Sequence, residues 1–227
     1  MRAASALDPG FVVAQVEAVL DDIEVHATKL GMLTNTGIAQ AVAELILRRR
    51  EDFGFVVLDP VMVATSGDRL LTDDAIAVVR TQLLPLADLV TPNVPETAVL
   101  TGSPPARSAE ELLAQTECLV AAGAHAVLAK GGHLEGEEMT DLLVTGKGAT
   151  AFTSSRVATR NTHGTGCTLS SAIAASAARA GTAPGDVVQH QVVSAARDFL
   201  PRAIAAGADW QPSRSPNTGH GPVKPLI

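Results

Sequence analysis

Phe55-Val56-Val57-Leu58-Asp59-Pro60-Val61-Met62 is the stretch that decides the fold. Four apolar residues in a row, too few for a helix and closed by Asp59-Pro60, read as a short strand buried on both faces. Strands of that kind sit in parallel sheets, where crossover helices cover both sides. The flanking segments supply such helices. Toward the N-terminus the pattern predicts a helix over 36–50 and a short buried strand over 25–30 ending at Gly31. Before them comes a helix over 8–20, with Asp8 as N-cap, Pro9 at its first position and Val12, Val16, Val19 and Leu20 as apolar positions. Toward the C-terminus follow a helix over 72–83, a strand over 88–90, and a helix over 108–122 opened by a Ser108/Glu111 capping box. A strand over 126–129 comes next, then a hairpin over 139–152 around Gly146 and Gly148. Helices over 166–180 and 184–206 complete the pattern, and the tail from Gln211, rich in Pro, Ser and Gly, reads as irregular. The alternation predicts an α/β fold in three layers, α/β/α, around a mostly parallel sheet, as one domain over residues 1–227.

Composition narrows the function classes. With 227 residues, 46% hydrophobic and 18% charged, the chain has the apolar content for a large single core and is not a disordered segment. The net charge of −7 argues against a polynucleotide partner. The one basic run, Arg48-Arg49-Arg50, reads as a solvated last helical turn that complements the helix dipole, not as a nucleic-acid patch. Residues 1–10 lack the apolar region of a signal peptide, and no apolar run reaches membrane-spanning length. Two cysteines, Cys118 and Cys167, in an acidic chain of this kind read as reduced thiols in the cytoplasm.

A sheet of this type binds ligands at the carboxyl ends of its strands. Polar residues collect there: Lys29 with Gly31-Met32, Asp59, Asn93 with Glu96, and Lys130-Gly131-Gly132-His133. The segment Asn161-Thr162-His163-Gly164-Thr165-Gly166-Cys167-Thr168 leads into a helix, and its glycines allow close backbone approach to an anion at the helix start. As bare glycines it would read as an ordinary loop. A cysteine in the first turn, where the dipole favours a thiolate, tilts the reading toward chemistry. The chain contains neither a Walker A loop nor a dinucleotide fingerprint. Asp59 alone could cap a turn, and Glu96 alone could serve a helix dipole; two carboxylates at neighbouring strand ends facing an anion loop are what a metal-bridged phosphate requires. The two glycines behind Lys130 suggest a bulky neighbour such as a phosphate chain. His133 and His163 read as polar loop residues, Cys118 as packing, and Met32 and Met62 as core by spacing alone.

Taken in order, these segments resemble the hydroxymethylpyrimidine/phosphomethylpyrimidine kinases of the ribokinase-like superfamily. The resemblance rests on Lys29 to Leu33, Leu58 to Met62, Ser66-Gly67-Asp68 with Leu70-Leu71, and Thr91-Pro92-Asn93 with Glu96. It continues through Lys130 to His133, Asn161 to Leu169, and Gly219 to Val223. Gly-Thr-Gly-Cys at 164–167 is its specific element, since most of the wider superfamily carries Asp in place of the cysteine. The resemblance implies ATP and magnesium as cofactors and a small pyrimidine as substrate, and it leaves a homodimer open. It implies that Gly164, Thr165, Gly166 and the Cys167 amide form an anion hole, with Cys167 as general base. It assigns Asp59 and Glu96 to magnesium, Asn93 to their support, Lys130 to nucleotide phosphates, and Met32 and Val61 to the pyrimidine pocket; the 219–222 tail receives no role. Pyridoxal kinase shares the loop and remains a rival, as does a non-catalytic nucleotide-binding remnant; a cysteine hydrolase lacks an orienting partner for His163. Family members normally open with a strand, a Gly-rich Asp-Pro-Ser-Gly-Gly-Ala-Gly segment and a lid hairpin, and this sequence starts after them. The expectation is that the 227-residue chain alone is a poor kinase that self-associates at an open edge, and that restoring such a segment recovers activity.

Overall fold

Successive side chains of a strand point to opposite faces, so a strand apolar at every position must feed two cores. In the computed structural model, which describes residues 5, 7–62, 70–134, 136, 138–210 and 221–225, Phe55–Leu58 (β2) does this. Val56 and Leu58 join a cluster with Ile38, Leu45, Val90, Leu119 and Val127. Phe55 and Val57 join another with Leu89, Leu128, Leu169, Ile173 and Val192. Each fully buried side chain of this size contributes about 1.5–3 kcal/mol, and the two clusters hold helices to both faces. This is the three-layer arrangement the sequence predicts. Ser66-Gly67-Asp68, Gly219-His220 and the rest of the tail over 211–220 lie outside the described residues.

In chain order the elements are α1 (Pro9–Leu20), β1 (Ala27–Leu30), α2 (Thr36–Arg48), β2, α3 (Asp73–Val78), β3 (Leu89–Val90), α4 (Val94–Thr101) and α5 (Ala109–Ala121). Then come β4 (Ala126–Ala129), β5 (Glu138–Thr145), β6 (Gly148–Ser155), α6 (Thr165–Ala180) and α7 (His190–Ala206). The sheet runs β1-β2-β3-β4-β5-β6. The first three pairings are parallel and the last two antiparallel, so 139–152 does lie in a hairpin. Leu30 pairs with Leu58 and Leu58 with Val90, which brings the carboxyl ends of β1, β2 and β3 to one edge. Among the described residues no helix is long and apolar enough to cross a membrane.

Local chemistry explains where the elements depart from expectation. Helix α2 stops at Arg48 because the arginine run is drawn into ion pairs: Arg48 with Glu17, Arg49 with Asp21 and Asp52, and Arg50 with the buried Asp88. Arg48 is exposed, as a solvated turn requires, whereas Arg49 and Arg50 are largely covered and tie the ends of α1 and β3 to α2. Helix α7 begins at His190, six residues later than predicted, because Gly185 N–H donates to Asp88 Oδ1 (2.7 Å) and Ala183 N–H to Asp186 (2.9 Å), fixing a turn there. Ser108 caps α5 by accepting from Glu111 N–H, but Glu111 accepts from Arg107 N–H, so the capping box is incomplete. The complete box is Asn93 with Glu96 at the start of α4, a helix that hydrophobic periodicity did not reveal. Cys118 is exposed, one position off the buried Leu112, Thr116 and Leu119 stripe, and is not packing.

Asp88 lies at the opposite end of β3 from the polar strand ends. Its carboxylate accepts from Val56 N–H (2.7 Å), from Gly185 N–H and from Arg50. Asp88→Ala strands these donors and is expected to cost about 2–4 kcal/mol in urea unfolding, with ligand binding at the far edge unchanged. A loss below about 0.5 kcal/mol would contradict this role, being no more than an ordinary surface substitution costs.

Candidate active site

The parallel register delivers four polar positions to one corner. Asp59 N–H donates to Leu30 O (2.9 Å), Thr91 N–H to Leu58 O (2.9 Å) and Lys130 N–H to Pro92 O (2.8 Å), so each strand end is locked to the next. Asn93 and Lys130 form a further parallel bridge beyond β3 and β4. The Asp59 side chain is 2% exposed, yet Lys130 Nζ stands 2.9 Å from Oδ1 and Lys29 Nζ 3.5 Å from Oδ2. Ser170 Oγ, from α6, donates to Oδ2 at 3.2 Å, and the Thr91 hydroxyl to Oδ1 at 3.4 Å. Burial alone would raise the Asp59 carboxyl, but the Lys130 ammonium, with Lys29 and the Ser170 hydroxyl, holds it below its ordinary range. Burial would lower Lys130, and the charges of Asp59 and Glu96 raise it instead. Both partners therefore stay charged at neutral pH.

The backbone that carries Lys130 is fixed from behind. Gly131 N–H donates to Asp141 Oδ1 (2.9 Å) on β5, and Asp141 Oδ2 pairs with Arg197 Nε (2.9 Å) on α7. A Cβ at Gly131 would lie 1.9 Å from Thr140 O, so what passes close at this glycine is the backbone of β5 rather than a phosphate chain.

Helix α6 starts where the sequence placed the anion loop. Gly164 is its N-cap in the left-handed region (φ +86°) and offers no side-chain cap. Thr165 N–H turns back to Thr162 O, and the Gly166 and Cys167 N–H groups lie in the first turn, where a helix has no partners of its own. A Cβ at Gly166 would lie 3.2 Å from Lys130 Nζ and 3.8 Å from Asp59 Oδ2. The loop thus rests directly on the ion pair. Cys167 is free and exposed.

Glu96 is 3% exposed and accepts from Asn93 N–H at 2.8 Å, while Asn93 Oδ1 accepts from Glu96 N–H at 2.9 Å. Burial pushes its carboxyl above the usual range, only partly offset by Lys130 and the Asn93 N–H. Among the described residues no three His, Cys, Asp or Glu side chains form a ready cage for a metal. A magnesium ion that keeps most of its ligands from phosphate and water needs only one or two carboxylates, and Glu96, with a cation to receive, fits that need. Asp59 already serves two ammonium and two hydroxyl groups, so a share in the ion requires one partner to shift onto phosphate.

Asp59, Asn93, Glu96, Lys130 and the 164–167 loop therefore converge. Met32 and Val61 are half-buried just beyond the paired ends of β1 and β2, on the same edge as Asp59, whereas Met62, 1% exposed, belongs to the core. Between Met32 and α2, Thr34 is held at φ +51° with its hydroxyl buried and unpaired among the described residues, a strained conformation on the Met32 side of the corner. Sequence reasoning gave no role to Lys29, Thr91 or Ser170. Lys29 was detectable as a second cation at a strand end; Ser170 is separated from Asp59 by 111 positions and carried no signal.

For a buried acid with a raised pKa, folding stability is fullest below the unfolded pKa and falls as pH rises through the folded one. Glu96→Gln keeps an acceptor for Asn93 N–H and removes the charge. Its melting temperature is expected to equal or exceed wild type at pH 8, with no advantage at pH 4, while magnesium dependence of nucleotide binding weakens. A melting temperature that collapses at both pH values would make Glu96 a purely structural cap.

Comparisons with known proteins show the family and the fold. A family model described as phosphomethylpyrimidine kinase matches residues 1–224. The Escherichia coli hydroxymethylpyrimidine/phosphomethylpyrimidine kinase is 50% identical over 169 residues, 74% of this chain; the chain spans 63% of that relative's length. The enzyme of the same description from Rhizobium meliloti is 46% identical over 213 residues, 93% of this chain and 75% of the relative. Among solved structures, the ADP complex of Bacillus subtilis pyridoxal kinase superposes with a TM-score of 0.80 at 31% identity, covering 96% of this chain and 76% of that one. The fold is the ribokinase-like one, and the chain belongs to the phosphomethylpyrimidine kinase family.

Proposed function

We propose that this chain transfers the γ-phosphoryl group of ATP to 4-amino-5-hydroxymethyl-2-methylpyrimidine, and then to the resulting monophosphate, in the cytoplasmic synthesis of thiamine. The observation that carries the reading is the Lys130–Asp59 pair lying against Gly166 at the start of α6. Phosphoryl transfer depends mostly on positioning and charge stabilisation, and this corner supplies both. The Lys130 ammonium and the Gly166 and Cys167 N–H groups take the charge on the phosphoryl oxygens. Glu96, held in place by Asn93 and with Asp59 nearby, would hold magnesium, which would supply neutralising charge to the nucleotide phosphates. Cys167 takes the proton from the acceptor hydroxyl as its oxygen bonds to phosphorus; the bond from phosphorus to the bridging oxygen breaks, and ADP leaves. Met32 and Val61 form an apolar wall for the flat ring. We treat residues 1–227 as one kinase domain.

The likeness to Bacillus subtilis pyridoxal kinase keeps pyridoxal as a second acceptor, a similar flat hydroxymethyl heterocycle. Acceptor-dependent ATP consumption on the pyrimidine, its monophosphate and pyridoxal tests the reading. The pyrimidine and its monophosphate are expected to be preferred; turnover of neither, or faster turnover of pyridoxal, would overturn it. The two steps also separate the role of Cys167. A phosphate monoester is largely ionised at pH 7.5, its second pKa being about 6, so the second transfer has little need of a base. Cys167→Ser is expected to slow the first phosphorylation on the order of a hundredfold and the second far less. Equal losses would remove the thiol from proton transfer.

A further inference from the structure

The Gly221-Pro222-Val223 segment is held against the loop that enters α6. Pro222 forms a parallel bridge with His163: His163 N–H donates to Gly221 O and Val223 N–H to His163 O, both at 3.1 Å. Lys224 N–H donates to Ala203 O on α7 (3.0 Å), Val223 is 5% exposed, and Lys224 Nζ lies 5.5 Å from the Trp210 ring. At the centre is Asn161, 7% exposed. Its Oδ1 accepts from Gly221 N–H (3.0 Å), and its Nδ2 donates to Gly207 O (2.7 Å), Ala208 O (3.2 Å) and Trp210 O (2.7 Å). One amide thus joins three stretches of chain: the loop start, the end of α7, and the returning C-terminal segment. No side chain fits at position 221, since a Cβ there would lie 2.2 Å from Asn161 Oδ1.

A buried amide and a glycine 60 positions away are thus matched closely. The loop they hold is the one in which Gly166 lies against Lys130 and Asp59. A helix start without a side-chain cap, as α6 has, takes its orientation from whatever fixes the residues before it. We propose that Asn161 is a positioning residue, which with Gly221–Val223 straps the anion loop to the end of α7 and sets the Gly166 and Cys167 amides for the transferred phosphoryl group. This rests on the phosphoryl-transfer reading of the loop.

The test uses Asn161→Ala, Gly221→Ala and the double variant in the full chain. Misplacing a reacting group by about 1 Å costs up to about a hundredfold, so each single variant is expected to lower kcat by about tenfold to a hundredfold. KM for the pyrimidine should stay within about threefold, because the acceptor side is untouched. The double variant should be no slower than the worse single one, since both break one strap. Hydrogen exchange should quicken at the 163–168 amides and stay at the wild-type rate in β2. Unchanged exchange in the loop, uniformly faster exchange throughout, or losses in kcat that multiply would each overturn the proposal. If Asn161→Ala does not fold, Asn161→Ser carries the same readings. If wild type phosphorylates no pyrimidine, the functional reading fails, and the exchange measurement still decides whether the strap holds the loop.

Discussion

A carboxylate buried as deeply as Asp59 stays ionised only where positive charge and donors compensate for lost water. Asp59 has two ammonium groups and two hydroxyl groups around it, drawn from β1, from the residues just past β3 and β4, and from α6. The rest of the structure converges on making that cluster. Strands β2 and β4 are four residues long and wholly apolar, and the polar residues that follow them, Asp59 and Lys130, meet in the cluster. Lys29 and Lys130 set two ammonium charges against Asp59, and they lie beside a helix start whose first N–H groups have no helical partners, an arrangement suited to an anion.

The same device recurs with other purposes. Asp88 gathers Arg50 and two backbone N–H groups at the far end of β3, where it joins helices rather than ligands. Asp141 gathers Gly131 N–H and Arg197, which also lies 5.2 Å from the Phe152 ring. It thereby ties the strand that carries Lys130 to α7. Since Asn161 binds the end of α7, the two sides of the Asp59–Lys130 corner are referenced to one helix. A shift of α7 would disturb both.

The architecture was legible because its signals are local: an apolar run, a cap, a glycine at a turn. Strands 55–58 and 126–129 stand where the sequence put them, and Asp8 and Ser108 do cap helices. The strand-end positions of the polar residues were legible too, and Asp59, Asn93, Glu96, Lys130 and 164–167 do lie together. What failed depends on partners distant in sequence. The arginines after α2 read as solvated because Glu17, Asp21 and Asp88 cannot be seen from positions 48–50. Gly131 read as room for a ligand because the backbone of β5, which fills that room, lies nine positions on. Asn161 was quoted in the anion-loop segment without a role of its own, because its partners are three carbonyls and the Gly221 N–H, backbone groups that no side-chain pattern encodes.

The most direct test of this account is the charge state of Asp59. Its carboxyl carbon can be followed by NMR from pH 7 downward in the ligand-free chain. The account requires a midpoint below the ordinary value of about 3.9 for an aspartate. The stability Asp59 contributes should then be present above that value and lost as pH falls through the lower midpoint. A midpoint at or above the ordinary value would mean that burial outweighs Lys130 and Lys29, and that the corner is not the charged phosphate site described.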